Sequence, residues 1–143
     1  AKIKAAIENY IPSNDRSQVV ERDTNTIIMD AYNANPSSME VSMSSFAAME
    51  ARYKVAILGD MLELGDHSRK EHENILRRAL KHGFDQLVLV GPQFGELHPE
   101  EQGALHFPDS STAQKWFAAQ NFQQTMVLLK GSRGIRLENI IEP

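Results

Sequence analysis

The sequence predicts an α/β protein with a doubly wound, mostly parallel sheet, helices on both faces and an antiparallel hairpin at its N-terminal edge. Three observations predict it. Four short apolar runs, at residues 26–29, 54–58, 87–90 and 126–129, are continuous rather than alternating, as expected of strands buried on both faces. Stretches with helical periodicity separate them, so the crossovers are helical, and right-handed crossovers wind a parallel sheet in both directions. Two adjoining strand candidates, Gln18–Arg22 and Asn25–Asp30, are joined only by Asp23-Thr24, a link short enough for a hairpin.

In chain order, residues 2–10 place Ile3, Ala6, Ile7 and Tyr10 on one helical face, and the pattern stops before Pro12. Residues 13–16, Ser-Asn-Asp-Arg, have turn chemistry. After the hairpin comes Asp30-Ala31-Tyr32-Asn33-Ala34-Asn35-Pro36-Ser37-Ser38-Met39, a strand-to-helix turn. Asn35 suits an N-cap and Pro36 the first helical position, where no N–H is needed. Met39, Met43, Phe46 and Ala47 give this helix an apolar face, and the pattern extends to about Arg52. The strand at 54–58 closes with Gly59-Asp60, and residues 61–66 form a loop. Ser68 and Glu71 match a capping box that starts a helix with Ile75, Leu76, Ala79 and Leu80 facing inward, and Gly83 stops it. Gly91-Pro92 ends the next strand, and residues 93–97 are too short to assign. Residues 104–107 form a short strand. Asp109 or Ser110 caps a helix that turns Trp116 and Phe117 inward. After the strand at 126–129 come Lys130-Gly131-Ser132-Arg133-Gly134 and a last short helix over 137–141.

Composition narrows the function classes. The 143 residues suffice for one domain with a core. A net charge of −4 disfavours a nucleic-acid partner, and the absence of cysteine excludes disulfides and thiolate metal sites. No apolar run reaches membrane-spanning length and no signal-peptide pattern opens the chain, so no membrane partner and a cytoplasmic location are expected. The chain starts at Ala1 inside a helical pattern, as a piece of a longer protein would.

In a parallel sheet of this kind, ligands bind outside the carboxyl ends of the strands. The loops starting at Asp30, Gly59, Gly91 and Lys130 should therefore meet along one rim, gathering Asp30, Tyr32, Asn33, Asn35, Asp60, Glu63, Lys130, Ser132 and Arg133. Asp30 is placed either to bind a ribose hydroxyl or to shape an Asx turn. Asn35 is a cap first, which leaves Asn33 the freer ligand. Tyr32 is a ring-stacking residue or a buried anchor. The Lys130–Gly134 loop suits an anion, with two glycines that admit backbone amides and two cations for phosphate or carboxylate. Neither a Walker A loop nor a Gly-x-Gly-x-x-Gly fingerprint is present, so no complete nucleotide site is legible. His67 and His72, five residues apart, miss the four-residue spacing of paired helical metal ligands, and no metal site is expected within the chain.

Three segments carry a resemblance. The stretch from Asp30 to Met39, the run Leu58-Gly59-Asp60-Met61-Leu62-Glu63-Leu64-Gly65 with His72 after it, and Lys130-Gly131-Ser132-Arg133-Gly134 occur in an order that resembles the C-terminal domain of Mur ligases. The similarity covers nearly the whole chain. It implies a Rossmann-like lid, residues 1–143, belonging to a three-domain, ATP-dependent amide-forming ligase of peptidoglycan precursor synthesis. The whole enzyme would activate the carboxylate of a UDP-N-acetylmuramoyl-tripeptide as an acyl phosphate, which the amine of D-alanyl-D-alanine attacks. The resemblance places Arg16, Asp30, Tyr32 and Asn33 on the ATP side, and Asn35, Lys130, Ser132 and Arg133 on the substrate side. It leaves Asp60 and Glu63 without a chemical role. ATP and Mg2+ would be held mainly by a central domain with a P-loop and a carbamylated lysine. Neither feature occurs here, so no catalytic residue is expected within the chain and it should not ligate alone. A stand-alone anion- or nucleotide-binding module and a sister ligase adding another amino acid are the alternative readings.

Overall fold

The computed structural model describes residues 18–30 and 34–142. These build one six-stranded sheet from β1 (Gln18–Arg22), β2 (Asn25–Asp30), β3 (Tyr53–Gly59), β4 (Gln86–Val90), β5 (Leu105–Phe107) and β6 (Thr125–Lys130), in the order β1-β2-β6-β3-β4-β5. Only the β1–β2 edge hairpin is antiparallel; β2, β6, β3, β4 and β5 run parallel. Asp23 makes the turn with φ 56°. The helices are α1 (Pro36–Ala47), α2 (Ser68–His82), α3 (Pro92–Gly95) and α4 (Ser110–Gln120), with 3₁₀ turns at Gly65–His67, Pro99–Gln102, Arg133–Ile135 and Leu137–Ile141. The anticipated helix over residues 2–10 lies outside the described residues.

The two directions of winding divide the core. From β2 to β3, β4 and β5 the chain steps one way across the sheet; from β5 it returns to insert β6 between β2 and β3. Crossovers of one hand then put the connecting helices on opposite faces. On one face Ile28, Leu58, Leu89 and Leu128 meet Met39, Met43 and Phe46 of α1 and Ile75, Leu76 and Ala79 of α2. On the other, Ile27, Ile57, Val90, Val127 and Leu129 meet Ala113 of α4 and Leu137, Ile140 and Ile141, with Trp116, Phe117 and Phe122 half-buried at the margin. Adjacent residues of each central strand enter different layers, which is why the strands read as unbroken apolar runs. Full burial of each such side chain contributes about 1.5–3 kcal/mol.

The element ends follow local chemistry, with some departures from expectation. Asn35 caps α1: its Oδ1 accepts from the Ser38 amide at 2.9 Å, and Ser38 Oγ accepts from the Asn35 amide at 3.1 Å. The helix stops at Ala47, not near Arg52. Lys54 Nζ, from β3, donates to the carbonyls of Phe46 and Ala47 at 3.2 and 2.7 Å and closes the last turn, while Met49 turns into the core. Burial lowers the pKa of this ammonium, and Asp85 partly offsets the effect. The capping box at Ser68 is not formed. The 3₁₀ turn at Gly65–His67 feeds directly into α2, and the Ser68 hydroxyl turns to Gln93 instead. Gly83, at φ 68°, ends α2 as expected. The unassigned segment after β4 contains the single turn α3; Asp109 rather than Ser110 caps α4; and the last helix is a 3₁₀ turn.

Because Asn35 and Ser38 exchange two bonds, replacing Asn35 with Ala should destabilise the chain by about 0.5–2 kcal/mol, measured as a lower urea midpoint. An unchanged midpoint would show that the cap contributes nothing.

Candidate functional site at the carboxyl ends of the strands

The sheet register brings the anticipated loops together. Asp30 pairs across the ladder with Lys130, Lys130 with Leu58, and Gly59 with Val90, so β2, β6, β3 and β4 end along one rim. The chain leaving β6 passes to the opposite face from the chains leaving β2 and β3 on either side of it. A crevice at such a reversal is where open α/β sheets bind ligands.

At the β2–β6 end, Lys130 Nζ donates to Asp30 Oδ2, and both side chains are buried. Among the described residues the other Lys/Arg–carboxylate pairs, Arg69–Glu73 and Arg78–Glu40, are about half-exposed. Next to Lys130, Gly131 runs against β3: a Cβ there would stand 2.8 Å from Gly59 Cα and 2.9 Å from Leu137 Cδ1. Glycine is required here because two backbones touch.

Asp60 joins three of the loops. It is fully buried, and its carboxylate accepts the amides of Gln93 and Phe94 at 2.8 and 3.0 Å, at the start of α3. Its carbonyl accepts the Ser132 amide at 3.1 Å, and Ser132 Oγ accepts the Leu62 amide at 2.8 Å. Gly91, at φ 122°, makes room for the carboxylate, which a Cβ would meet at 2.4 Å. Burial raises the Asp60 pKa above its ordinary 3.8, against the opposing pull of the two amides. His72 of α2, also fully buried, supports the same loop. Its Nδ1 meets the Ser68 carbonyl at 2.7 Å and its Nε2 meets the Met61 amide at 3.0 Å, so Nδ1 is the donor and Nε2 the acceptor. Its ring lies edge-on to Phe94. Glu63 then holds φ 65°, an uncommon conformation for a side chain of that kind, in the exposed loop beyond.

Of the anticipated site residues, Asp30, Lys130 and Ser132 are brought together at this rim, and Asn35 is the exposed cap of the helix leaving it. Arg133 is exposed and engaged by a partner within the chain. Arg16, Tyr32 and Asn33 lie outside the described residues. Two features were missed: the pairing of Asp30 with Lys130, and the support that His72 gives the Asp60 loop. The second had a legible signal, since His72 lies three, four and seven residues before Ile75, Leu76 and Ala79 on the inward face of α2. The first had none, because nothing in sequence order says that β6 returns beside β2. No group of three His, Cys, Asp or Glu residues able to hold a metal ion occurs among the described residues, and no described helix is long and apolar enough to cross a membrane.

Fold and rim define the class: a doubly wound α/β fold with a charged and amide-rich edge at the carboxyl ends of its strands. The chain belongs to the Mur ligase family, matching the family model described as "Mur ligase, glutamate ligase domain" over residues 15–133. It is 31% identical over 143 residues to the UDP-N-acetylmuramoyl-tripeptide–D-alanyl-D-alanine ligase of Escherichia coli, covering 97% of this chain and 31% of that enzyme. To the ligase of the same name from Rickettsia prowazekii it is 28% identical over 130 residues, covering 89% of this chain and 29% of the relative. Among solved structures it resembles MurF ligase from Thermotoga maritima in complex with ADP, with a TM-score of 0.72 at 26% identity over 90% of this chain and 30% of that one. MurF from Acinetobacter baumannii gives 0.75 at 29%, over 90% of this chain and 29% of that one. The chain thus spans about a third of the length of the curated relatives it matches.

Two outcomes check the loop architecture. A carboxyl whose pKa is higher folded than unfolded stabilises fully below its ordinary value, and this contribution is lost as pH rises through the raised value. The stability of the wild type minus that of Asp60→Asn should therefore fall as pH rises from about 4 toward neutrality. Urea titrations of both proteins across that range measure it, and a growing difference would mean that the Gln93 and Phe94 amides outweigh burial. His72→Ala leaves the buried Met61 amide unpaired and opens a void, and should cost about 2–5 kcal/mol in the same titration.

Proposed function

We propose that this chain is the C-terminal lobe of an ATP-dependent ligase that adds D-alanyl-D-alanine to a UDP-N-acetylmuramoyl-tripeptide. The observation that carries the reading is the rim itself, which joins the three motif segments along one sheet edge. On this reading Arg16, Asp30, Tyr32 and Asn33 face ATP, and Ser132 and Arg133 face the dipeptide. Asn35, the cap of α1, lies on the substrate side with them.

The chemistry fits a lobe that binds and orients. Asp30 keeps Oδ1 without a hydrogen-bond partner among the described residues, an acceptor suited to a ribose hydroxyl. Backbone amides and a guanidinium beside Gly131 and Gly134 suit a carboxylate or phosphate. Mg2+ usually keeps several waters and binds one or two carboxylates together with substrate phosphates, and on this reading it is held with ATP mainly by the central domain, where the acyl-phosphate chemistry takes place. This lobe's part is to hold the amine in line and help keep water from the activated carboxylate.

The test uses the full-length enzyme carrying this chain. Asp30→Asn and Arg16→Ala should each raise KM for ATP by about ten- to a hundredfold, as expected for one lost charge-assisted bond, with little change in KM for the dipeptide. Wild-type values in both variants would overturn the assignment. Tight ATP binding by the isolated chain would favour a stand-alone nucleotide-binding module, and a preference for a different amine would favour a sister ligase.

A further inference from the structure

The resemblance puts Lys130 beside the dipeptide, but the geometry points to the nucleotide. We propose that Lys130 is a positioning residue for Asp30: it fixes one carboxylate oxygen so that the other is aimed at a ligand hydroxyl. The inference rests on the nucleotide side of the proposed function and adds to it a residue that acts through Asp30.

Four observations carry it. The two residues are direct partners in the β2–β6 ladder, so their side chains leave adjacent strands at the same level. Their side chains are only 7% and 3% exposed, for Asp30 and Lys130 respectively, so the pair is withdrawn from bulk water. Lys130 Nζ is committed to Oδ2, while Oδ1 has no hydrogen-bond partner among the described residues. A carboxylate on one Cβ can rotate about its last torsion, and an ammonium gripping one oxygen stops that rotation. The neighbouring residues leave Lys130 little scope to reach elsewhere. Gly131 lies against Gly59, and Ser132 is tied to Asp60 and Leu62, so the chain beyond Lys130 is held in place. Ser132 and Arg133 can serve the dipeptide from the loop itself, whereas Lys130 sits within β6 and faces Asp30.

The test is a double-mutant cycle in the full-length enzyme, with ATP, 2′-deoxy-ATP and 3′-deoxy-ATP as nucleotides and D-alanyl-D-alanine as amine. The variants are Asp30→Asn, Lys130→Met, the double variant and Lys130→Arg. Asp30→Asn should lose the preference for ATP over one of the deoxy nucleotides. Lys130→Met should lose the same preference, with KM for ATP raised about tenfold or more and KM for the dipeptide changed less than about twofold. The double variant should be no worse than Asp30→Asn alone, and Lys130→Arg should restore part of the preference. The double variant replaces the buried pair with two uncharged side chains, so it keeps the test open if Lys130→Met folds poorly. Two results would overturn the positioning role while sparing Asp30: a Lys130→Met enzyme that keeps hydroxyl discrimination, or one whose only defect is a raised KM for the dipeptide. If Asp30→Asn itself leaves ATP binding and discrimination intact, the nucleotide side of the proposed function falls and the role of Lys130 falls with it.

Discussion

A carboxylate and an ammonium are costly to take out of water separately, and that cost ties the end of β2 to the end of β6. Asp30 and Lys130 are the last residues of two apolar strands, and each is buried. Neither would be stable there without the other: breaking such a pair from one side costs about 3–5 kcal/mol. A slip of one residue in the β2–β6 register would put the two groups on opposite faces of the sheet and leave both unpaired. The pair therefore acts as a register lock, and its location follows from the winding. β6 returns beside β2, where the chain changes faces, so charge enters the sheet at the reversal where ligands of α/β proteins bind.

The second charged group of the rim works differently. Among the described residues Asp60 has no cationic side chain at hydrogen-bonding distance; it is held by two amides at the start of α3, and its own carbonyl takes the amide of Ser132. The His72 ring meets the carboxylate only at 4.0 Å while its Nε2 is engaged by the Met61 amide. Asp60 thus gives three loops one fixed reference, at the cost of a raised pKa. The glycines around it follow from the same crowding. Gly91 leaves room for the carboxylate, and Gly131 lets the loop after β6 come close enough for Ser132 to bond Asp60 and Leu62. The Gly-Asp and Lys-Gly-Ser segments are in this sense one structure written in two places.

How much of this was legible depends on whether the determining interaction is local. The strands were legible because burial on both faces leaves an unbroken apolar run, and the Asn35 and Asp109 caps because they act within three residues. The end of α1 was not, because the group that closes it, Lys54, belongs to the next strand. The capping box at Ser68 failed for a related reason: a 3₁₀ turn already supplies the entry to α2, and the hydroxyl finds Gln93 from the loop after β4. Convergence of the four loops on one rim could be deduced from topology alone. The bond between Asp30 and Lys130, a hundred residues apart, could not, since two strand orders with the same local pattern would place Lys130 beside different partners.

What the bonds of the rim provide is order. An amine and an activated carboxylate react only when their atoms are held in line, and loose loops would lose that advantage to entropy. Here the described segments of the rim are tied to one another by the chain's own bonds. Lys130 holds Asp30, Asp60 holds Ser132 and the start of α3, and His72 holds the chain between. The polar atoms that do this are largely withdrawn from solvent, where each bond is stronger and each loss is dearer. The geometry of that edge is thus set by the register of its own sheet and by the bonds between its own loops.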